Sequence, residues 1–196
     1  MSVNLQKGQK VDLTKNNQGL SKVVVGLGWD EAEQKRGLFS KKPADIDCDA
    51  SAILLSTGGK LSSNSDVIFY HNLKHSSGAV MHCGDNLTGA GEGDDEQIIV
   101  ELKKIPENYE RIVFVVTIYQ AKERNQHFGM IKNAFIRIVD SSTGNEMFKY
   151  DLSENYDGRT AMIFGEIYRH NGEWKFSAVG EPTNDNGISE MAKRFL

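Results

Sequence analysis

Apolar and polar residues alternate with a period of two along most of the chain, and the apolar positions are rich in Val, Ile and Phe. That period belongs to strands with one face buried. It predicts strands over 23–29, 50–55, 67–70, 79–82, 97–102 and 111–119, the last being the longest apolar run. Further strands are predicted over 134–139, 146–150, 163–169 and 173–179. Turn residues separate them. Thr57-Gly58-Gly59-Lys60 closes one strand, Pro106-Glu107-Asn108 breaks another, and Ser141 to Asn145 form a hairpin loop. Asn171-Gly172 between two alternating segments is a strong hairpin signal, because both residues tolerate the positive φ of a type I′ turn. Residues 121–128 look more helical. Residues 188–195 place Ile188, Met191, Ala192 and Phe195 on one face of a short helix. About ten strands joined by short turns predict an all-β fold, an antiparallel β-sandwich with one or two short helices.

The 196 residues suit one domain with a sizeable core, and no boundary or internal repeat interrupts residues 1–196. A basic stretch at 31–44, carrying Lys35, Arg36, Lys41 and Lys42, reads as an exposed loop. No apolar run has the length of a signal peptide or a membrane span. Two cysteines, Cys48 and Cys83, are too few for a disulfide scaffold. A cytoplasmic location with reduced thiols is the expectation.

Charge changes the picture more than composition does. The net charge is only −4, but nine of the 27 acidic residues crowd into short segments, leaving 18 against 23 bases elsewhere. Gly84-Asp85-Asn86-Leu87-Thr88-Gly89-Ala90-Gly91-Glu92-Gly93-Asp94-Asp95-Glu96 holds five carboxylates and four glycines. Upstream lie Asp30, Asp45, Asp47 and Asp49. On an extended strand Asp45, Asp47 and Asp49 share one face, spaced roughly 7 Å apart, while Ile46, Cys48 and Ala50 take the other. That spacing is too wide for one ion alone; the glycine-rich loop can fold over them to complete a shell, the alternative being a solvated acidic loop. Crowded carboxylates repel one another unless a cation compensates them.

Ligand type selects the ion. Calcium takes six to eight oxygens in irregular geometry, magnesium keeps its waters, and zinc prefers nitrogen or sulfur. The expected site therefore holds calcium, two ions rather than one, through Asp30, Asp45, Asp47, Asp49, Asp85, Asn86, Asp94, Asp95 and Glu96. It is no EF-hand: Asp85 and Glu96 match its ends, but Leu87, Gly89 and Ala90 occupy positions that need other residues. A polyanion such as nucleic acid would be repelled here.

Other constellations carry less. His71, His75, His82 and Cys83 invite a zinc reading, but loop or surface histidines are expected. The carboxylates should raise the pKa of Cys48 and Cys83 and slow thiolate chemistry. Tyr168, Trp174 and Phe176 are expected to pack in the core. There is no Gly-x-Ser-x-Gly elbow and no local Ser/His/Asp pattern, so the expectation is a protein that is not an enzyme. A metal-dependent phosphohydrolase is the alternative.

Six motifs resemble the TerD family of tellurium-resistance and general-stress proteins. They are Gly-Leu-Gly-Trp-Asp (26–30), Asp-Ile-Asp-Cys-Asp-Ala-Ser-Ala (45–52), the acidic loop (84–96), Phe-Val-Val-Thr-Ile (114–118), Ala-Phe-Ile-Arg-Ile-Val (134–139) and Gly-Glu-Ile-Tyr-Arg-His-Asn-Gly-Glu-Trp-Lys-Phe (165–176). The resemblance runs from residue 3 to about residue 180. It implies a β-sandwich that binds calcium, as two ions, through the acidic segments, and a role in resistance to tellurite and other stresses. The loop at 31–44 is longer and more basic than the family pattern, and the tail after Glu181 lacks the usual glycine-rich ending. Nothing in the residues suggests direct reduction of tellurite, so a scaffolding or signalling role is expected. The expected partners are other stress-response proteins, at the inner membrane face in one version. In another, Lys35–Lys42 docks on the acidic surface of a second copy.

Overall fold

In a computed structural model, residues 2–31, 46–84, 93–152 and 154–196 are described. Their architecture is two six-stranded sheets facing each other. The first sheet has the order β1-β10-β9-β3-β7-β6. Its strands are β1 (Val3–Leu5), β3 (Lys22–Glu31), β6 (Val80–His82), β7 (Glu96–Glu101), β9 (Ile131–Asp140) and β10 (Glu146–Asp151). The second has the order β2-β12-β11-β8-β4-β5. It comprises β2 (Lys10–Asp12), β4 (Cys48–Ser56), β5 (Val67–Ile68), β8 (Tyr109–Ile118), β11 (Ala161–His170) and β12 (Glu173–Thr183).

Each of the ten strands predicted from alternation is present. The two additional strands, β1 and β2, are three residues each and pair through tertiary contacts alone. β1 lies parallel to β10, and every other named pair is antiparallel. The helical reading of 121–128 survives only as α1 (Ala121–Arg124), followed by a 3-10 turn at Phe128–Met130. Gln120 and Asn125 adopt left-handed φ values at its two ends, which stops the helix after one turn. The C-terminal helix α2 spans Ile188–Lys193.

Inward-facing positions of both sheets build one core. Val23, Val25 and Leu27 of β3, Ile98 and Val100 of β7, and Ile136 and Ile138 of β9 meet Ala50, Ala52 and Leu54 of β4 and Phe114, Phe164 and Phe176 of the opposite sheet. Trp174 and Phe176 are buried as expected, whereas Tyr168 is half-buried, with Lys10 over its ring. A smaller cluster lies on the outer side of the second sheet, where Met191 and Ala192 of α2 cover Ile53, Leu55, Val113, Val115 and Ile163. The central strands β4 and β8 are therefore apolar on both faces, which explains their unbroken hydrophobic runs. At the rims of both sheets, β1, β2, β5 and β6 have only two or three residues each.

The basic segment falls mostly outside the described residues; only Glu31 at its start belongs to β3. Among the described residues no helix is long and apolar enough to cross a membrane.

Phe114 is fully buried between the sheets, so Phe114→Ala should cost about 3–5 kcal/mol. Denaturant unfolding of the variant checks this; a loss below about 1 kcal/mol would mean the core is not assembled as described.

Candidate metal centre

One end of the sandwich carries the acidic residues, and local pairing explains why. β7 starts where Glu96 pairs with Leu27 of β3. One residue earlier, the Asp95 amide donates to the Leu27 carbonyl at 2.8 Å. The Trp29 amide then donates to Asp95 Oδ2 at 2.6 Å. A side-chain carboxylate replaces the main-chain acceptor that β7 supplies further along. The chain bends at Asp95, so Asp94 and Glu96 go to opposite faces of the sheet although they are two residues apart.

Glu96 points inward with Ile98 and Val100 and is 3% exposed. Its Oε2 accepts the amide of Ala50, on β4 of the other sheet. The His82 ring from β6 completes this tie: Nε2 donates to the Ala50 carbonyl at 3.1 Å and lies 3.5 Å from Glu96 Oε2. Its Nδ1 accepts the Gly84 amide at 3.0 Å. β5 pairs only with Ala52 and Ile53 of β4, so Ala50 sits on an edge that no strand among the described residues covers. Glu96 and His82 supply the partners a neighbouring strand would have supplied.

Both acidic segments thereby arrive at the same place. Asp47 and Asp49 alternate with the buried Cys48 and Ala50, as the period of two predicts. Asp47 is exposed, and Asp49 is half-buried opposite Thr117 of β8. Burial first, then the charges of Asp49, Asp47, Glu96 and Asp95, push the Cys48 thiol well above its ordinary pKa. The four carboxylates therefore share one electrostatic neighbourhood. Asp95 is also raised, chiefly by its own burial, and further by Asp30 and Asp94, although the Trp29 amide works against this. Asp30, on β3, accepts Asn133 Nδ2 at 2.8 Å.

Asp94 is arranged differently. Arg137 of β9 grips it with two bonds, Nε to Oδ1 at 2.6 Å and Nη2 to Oδ2 at 3.0 Å. Gln97 Nε2 adds a third at 2.9 Å. Asp45, Asp85 and Asn86 lie outside the described residues. Among the described residues, no three His, Cys, Asp or Glu side chains converge as a metal-binding group. The donor chemistry does fit a hard cation: the gathered side chains are carboxylates, and the one nearby imidazole has both ring nitrogens committed to backbone groups.

His71 is exposed and His75 lies in a loop, as expected, whereas His82 stands on β6. Both His75 and His82 are buried. His75 Nε2 faces Asp66 Oδ1 at 3.4 Å, and Nδ1 faces the Ser77 hydroxyl at 2.7 Å. Asp66 also accepts the Tyr109 hydroxyl at 2.9 Å. This is a sealed polar network that satisfies buried groups. Cys48 is buried and Cys83 exposed, and both are free. Sequence reasoning missed Arg137, His82, Gln97 and Gly26. The available signal was Gly26, a glycine inside an alternating strand, which marks a place of close approach.

An oxygen-lined acidic end on a two-sheet β-sandwich defines the class. A TerD domain matches residues 1–195, and the chain belongs to the TerD family. It is 52% identical over 200 aligned residues to stress response protein SCP2 of Bacillus subtilis (strain 168), with both chains fully covered. It is 54% identical to general stress protein 16U of the same organism, over 92% of this chain and 90% of that one. Tellurium resistance protein TerD of Serratia marcescens is 49% identical over 92% and 91% of the two chains. The fold resembles the crystal structure of a telluride-resistance (TerD) homologue from Streptomyces coelicolor A3(2), with a TM-score of 0.64 at 20% identity, covering 89% of this chain and 98% of that one.

Burial raises the Asp95 pKa in the folded state, so folding gains stability from its protonated form. That contribution is complete below the unfolded value of about 4 and is lost as pH rises through the folded value. Chelator-treated protein should therefore lose stability as pH rises from about 4 through that range. Asp95→Asn keeps an acceptor for the Trp29 amide and should flatten the slope. Melting curves across pH check this; equal slopes in both proteins would count against it.

Proposed function

We propose that the chain is a calcium-binding stress-response protein that acts without catalysis, as a scaffold or signalling module in resistance to tellurite and general stress. The names of its relatives support the stress role: a stress response protein, a general stress protein and tellurium resistance proteins. The cross-sheet tie of Glu96 and His82 to Ala50 carries the calcium reading, because it delivers the segments of Asp47–Asp49 and Asp94–Glu96 to one end of the sandwich. Asp30, Asp47, Asp49, Asp95 and Glu96 are the described candidates for ligands. Asp45, Asp85 and Asn86 would supply further oxygens, enough for two ions. When bound, calcium would neutralise carboxylates that crowd one end of the sandwich.

The protein's own residues would then do three things. Asp95 and Glu96 hold the loop end against both sheets through backbone amides. Asp47 and Asp49 present carboxylates from the rim of β4. The ordered, less negative surface that results is suited to a protein partner or an anionic membrane face. The phosphohydrolase reading has less support. Within the described site the one imidazole is engaged through both nitrogens, so it is poorly placed to act as a general base.

Isothermal titration of chelator-stripped protein should give micromolar binding of one or two calcium ions that survives millimolar magnesium. At a hundredfold excess over Kd, calcium should add about 2.7 kcal/mol of stability, raising Tm by about 5–10 °C for a chain of this length. Unchanged melting and no heat of binding would refute the reading. Asp47 is exposed, so Asp47→Asn should weaken calcium binding about tenfold or more while leaving the Tm of the stripped protein within about 1–2 °C of wild type. Wild-type affinity in that variant would remove Asp47 from the site.

A further inference from the structure

We infer that Asp94 is the anchor of the acidic loop rather than an ion ligand, and that Arg137 is the positioning residue that holds it. Its bearing on calcium rests on the reading proposed above; the anchor itself does not. Asp94 is committed through both carboxylate oxygens. Its side chain is 1% exposed, and its two oxygens take three hydrogen bonds, two from the Arg137 guanidinium and one from Gln97. Arg137 is itself braced on its other side by Glu146 Oε2 at 3.2 Å.

The register of the first sheet builds this grip. Gly26 of β3 pairs with Gln97 on one side and Arg137 on the other. The two long polar side chains therefore flank a bare backbone position. Asp94 lies on it: a Cβ at Gly26 would fall 2.2 Å from Asp94 Oδ1 and 2.3 Å from Cγ. No other residue type leaves room for that carboxylate. The Gly93 carbonyl crosses Gly28 in the same way, 3.0 Å from where a Cβ would stand. The chain just before β7 is thus laid across the outer face of β3 and clamped there.

Clamping Asp94 outward sets the direction of the next two side chains. Asp95 is left facing the Trp29 amide, and Glu96 turns inward to Ala50. A bidentate Arg–carboxylate pair sets direction as well as distance, which a lysine would not do. An ion coordinated by Asp94 would have to displace these bonds. An ion coordinated by Asp95 and Glu96 would use side chains that the clamp has already aimed.

Three variants test this. Arg137→Met removes the grip, Gly26→Ala expels the Asp94 carboxylate without changing any charge, and Asp94→Asn alters the residue itself. In chelator-treated protein, amide exchange at Trp29 and Asp95 should quicken at least tenfold in Arg137→Met and Gly26→Ala, with Ile98 and Val100 of β7 unchanged. Calcium titration should show at least tenfold weaker binding in both. All three variants should keep the wild-type number of ions. Wild-type exchange at Trp29 and Asp95 in both Arg137→Met and Gly26→Ala would overturn the anchor. Loss of an ion in Asp94→Asn with wild-type exchange would make Asp94 a ligand and overturn it equally. Should wild-type protein bind no calcium, the calcium reading fails and the exchange measurement decides the anchor alone.

Discussion

The hydrogen bonds of the Glu96 carboxylate and the His82 imidazole to the Ala50 backbone join two sheets whose shared core is apolar. Burying a carboxylate among hydrophobic residues is costly unless it is well bonded. Here it answers a second need, since β5 stops short and, among the described residues, leaves Ala50 without a strand partner on that side. His82 meets the other half of that need. Each unsatisfied group solves the other's problem. The position of the two acidic segments depends on this exchange, because Asp49 precedes Ala50 and Asp95 precedes Glu96. The acidic end exists where the sheet edge is incomplete.

The outer faces of the two sheets are treated differently. One is covered by α2, whose Met191 and Ala192 extend the apolar packing of β4, β8 and β11. The other holds charged and polar groups in rows set by register. Gln97, Gly26, Arg137 and Lys149 succeed one another across β7, β3, β9 and β10. In the next row Phe135 lies over Gly28, with the Lys149 ammonium 4.5 Å from its ring centre. Sites that need charge belong on such a face, since water and cross-strand partners keep the charges solvated.

The strands were legible because alternation is a local property, readable wherever one face is buried. β1 and β2 were not, since Val3-Asn4-Leu5 and Lys10-Val11-Asp12 are too short to show a period and become strands only by lying beside β10 and β12. The acidic residues were legible as residues. Their division of labour was not, because it depends on partners far away in sequence: Ala50 for Glu96, Trp29 for Asp95, Arg137 for Asp94. The burial of His75 and His82 was hidden for the same reason, since Asp66 and Glu96 come against them only in the fold. Gly26 stands within a recognisable motif, yet what the glycine is for emerges only when the carboxylate resting on it is seen.

The four rim strands have a consequence for the protein in a crowded solution. A long, flat rim offers a row of unsatisfied backbone groups on which another chain can build, and that is how β-rich proteins begin to aggregate. Here the outermost strand at each described rim is two or three residues long, and beside β5 the Ala50 backbone is already taken by a carboxylate and an imidazole. A strand of two or three residues presents little ladder on which a neighbour can build. Short rims therefore limit how readily this β-rich chain can pair edge to edge with other exposed strands.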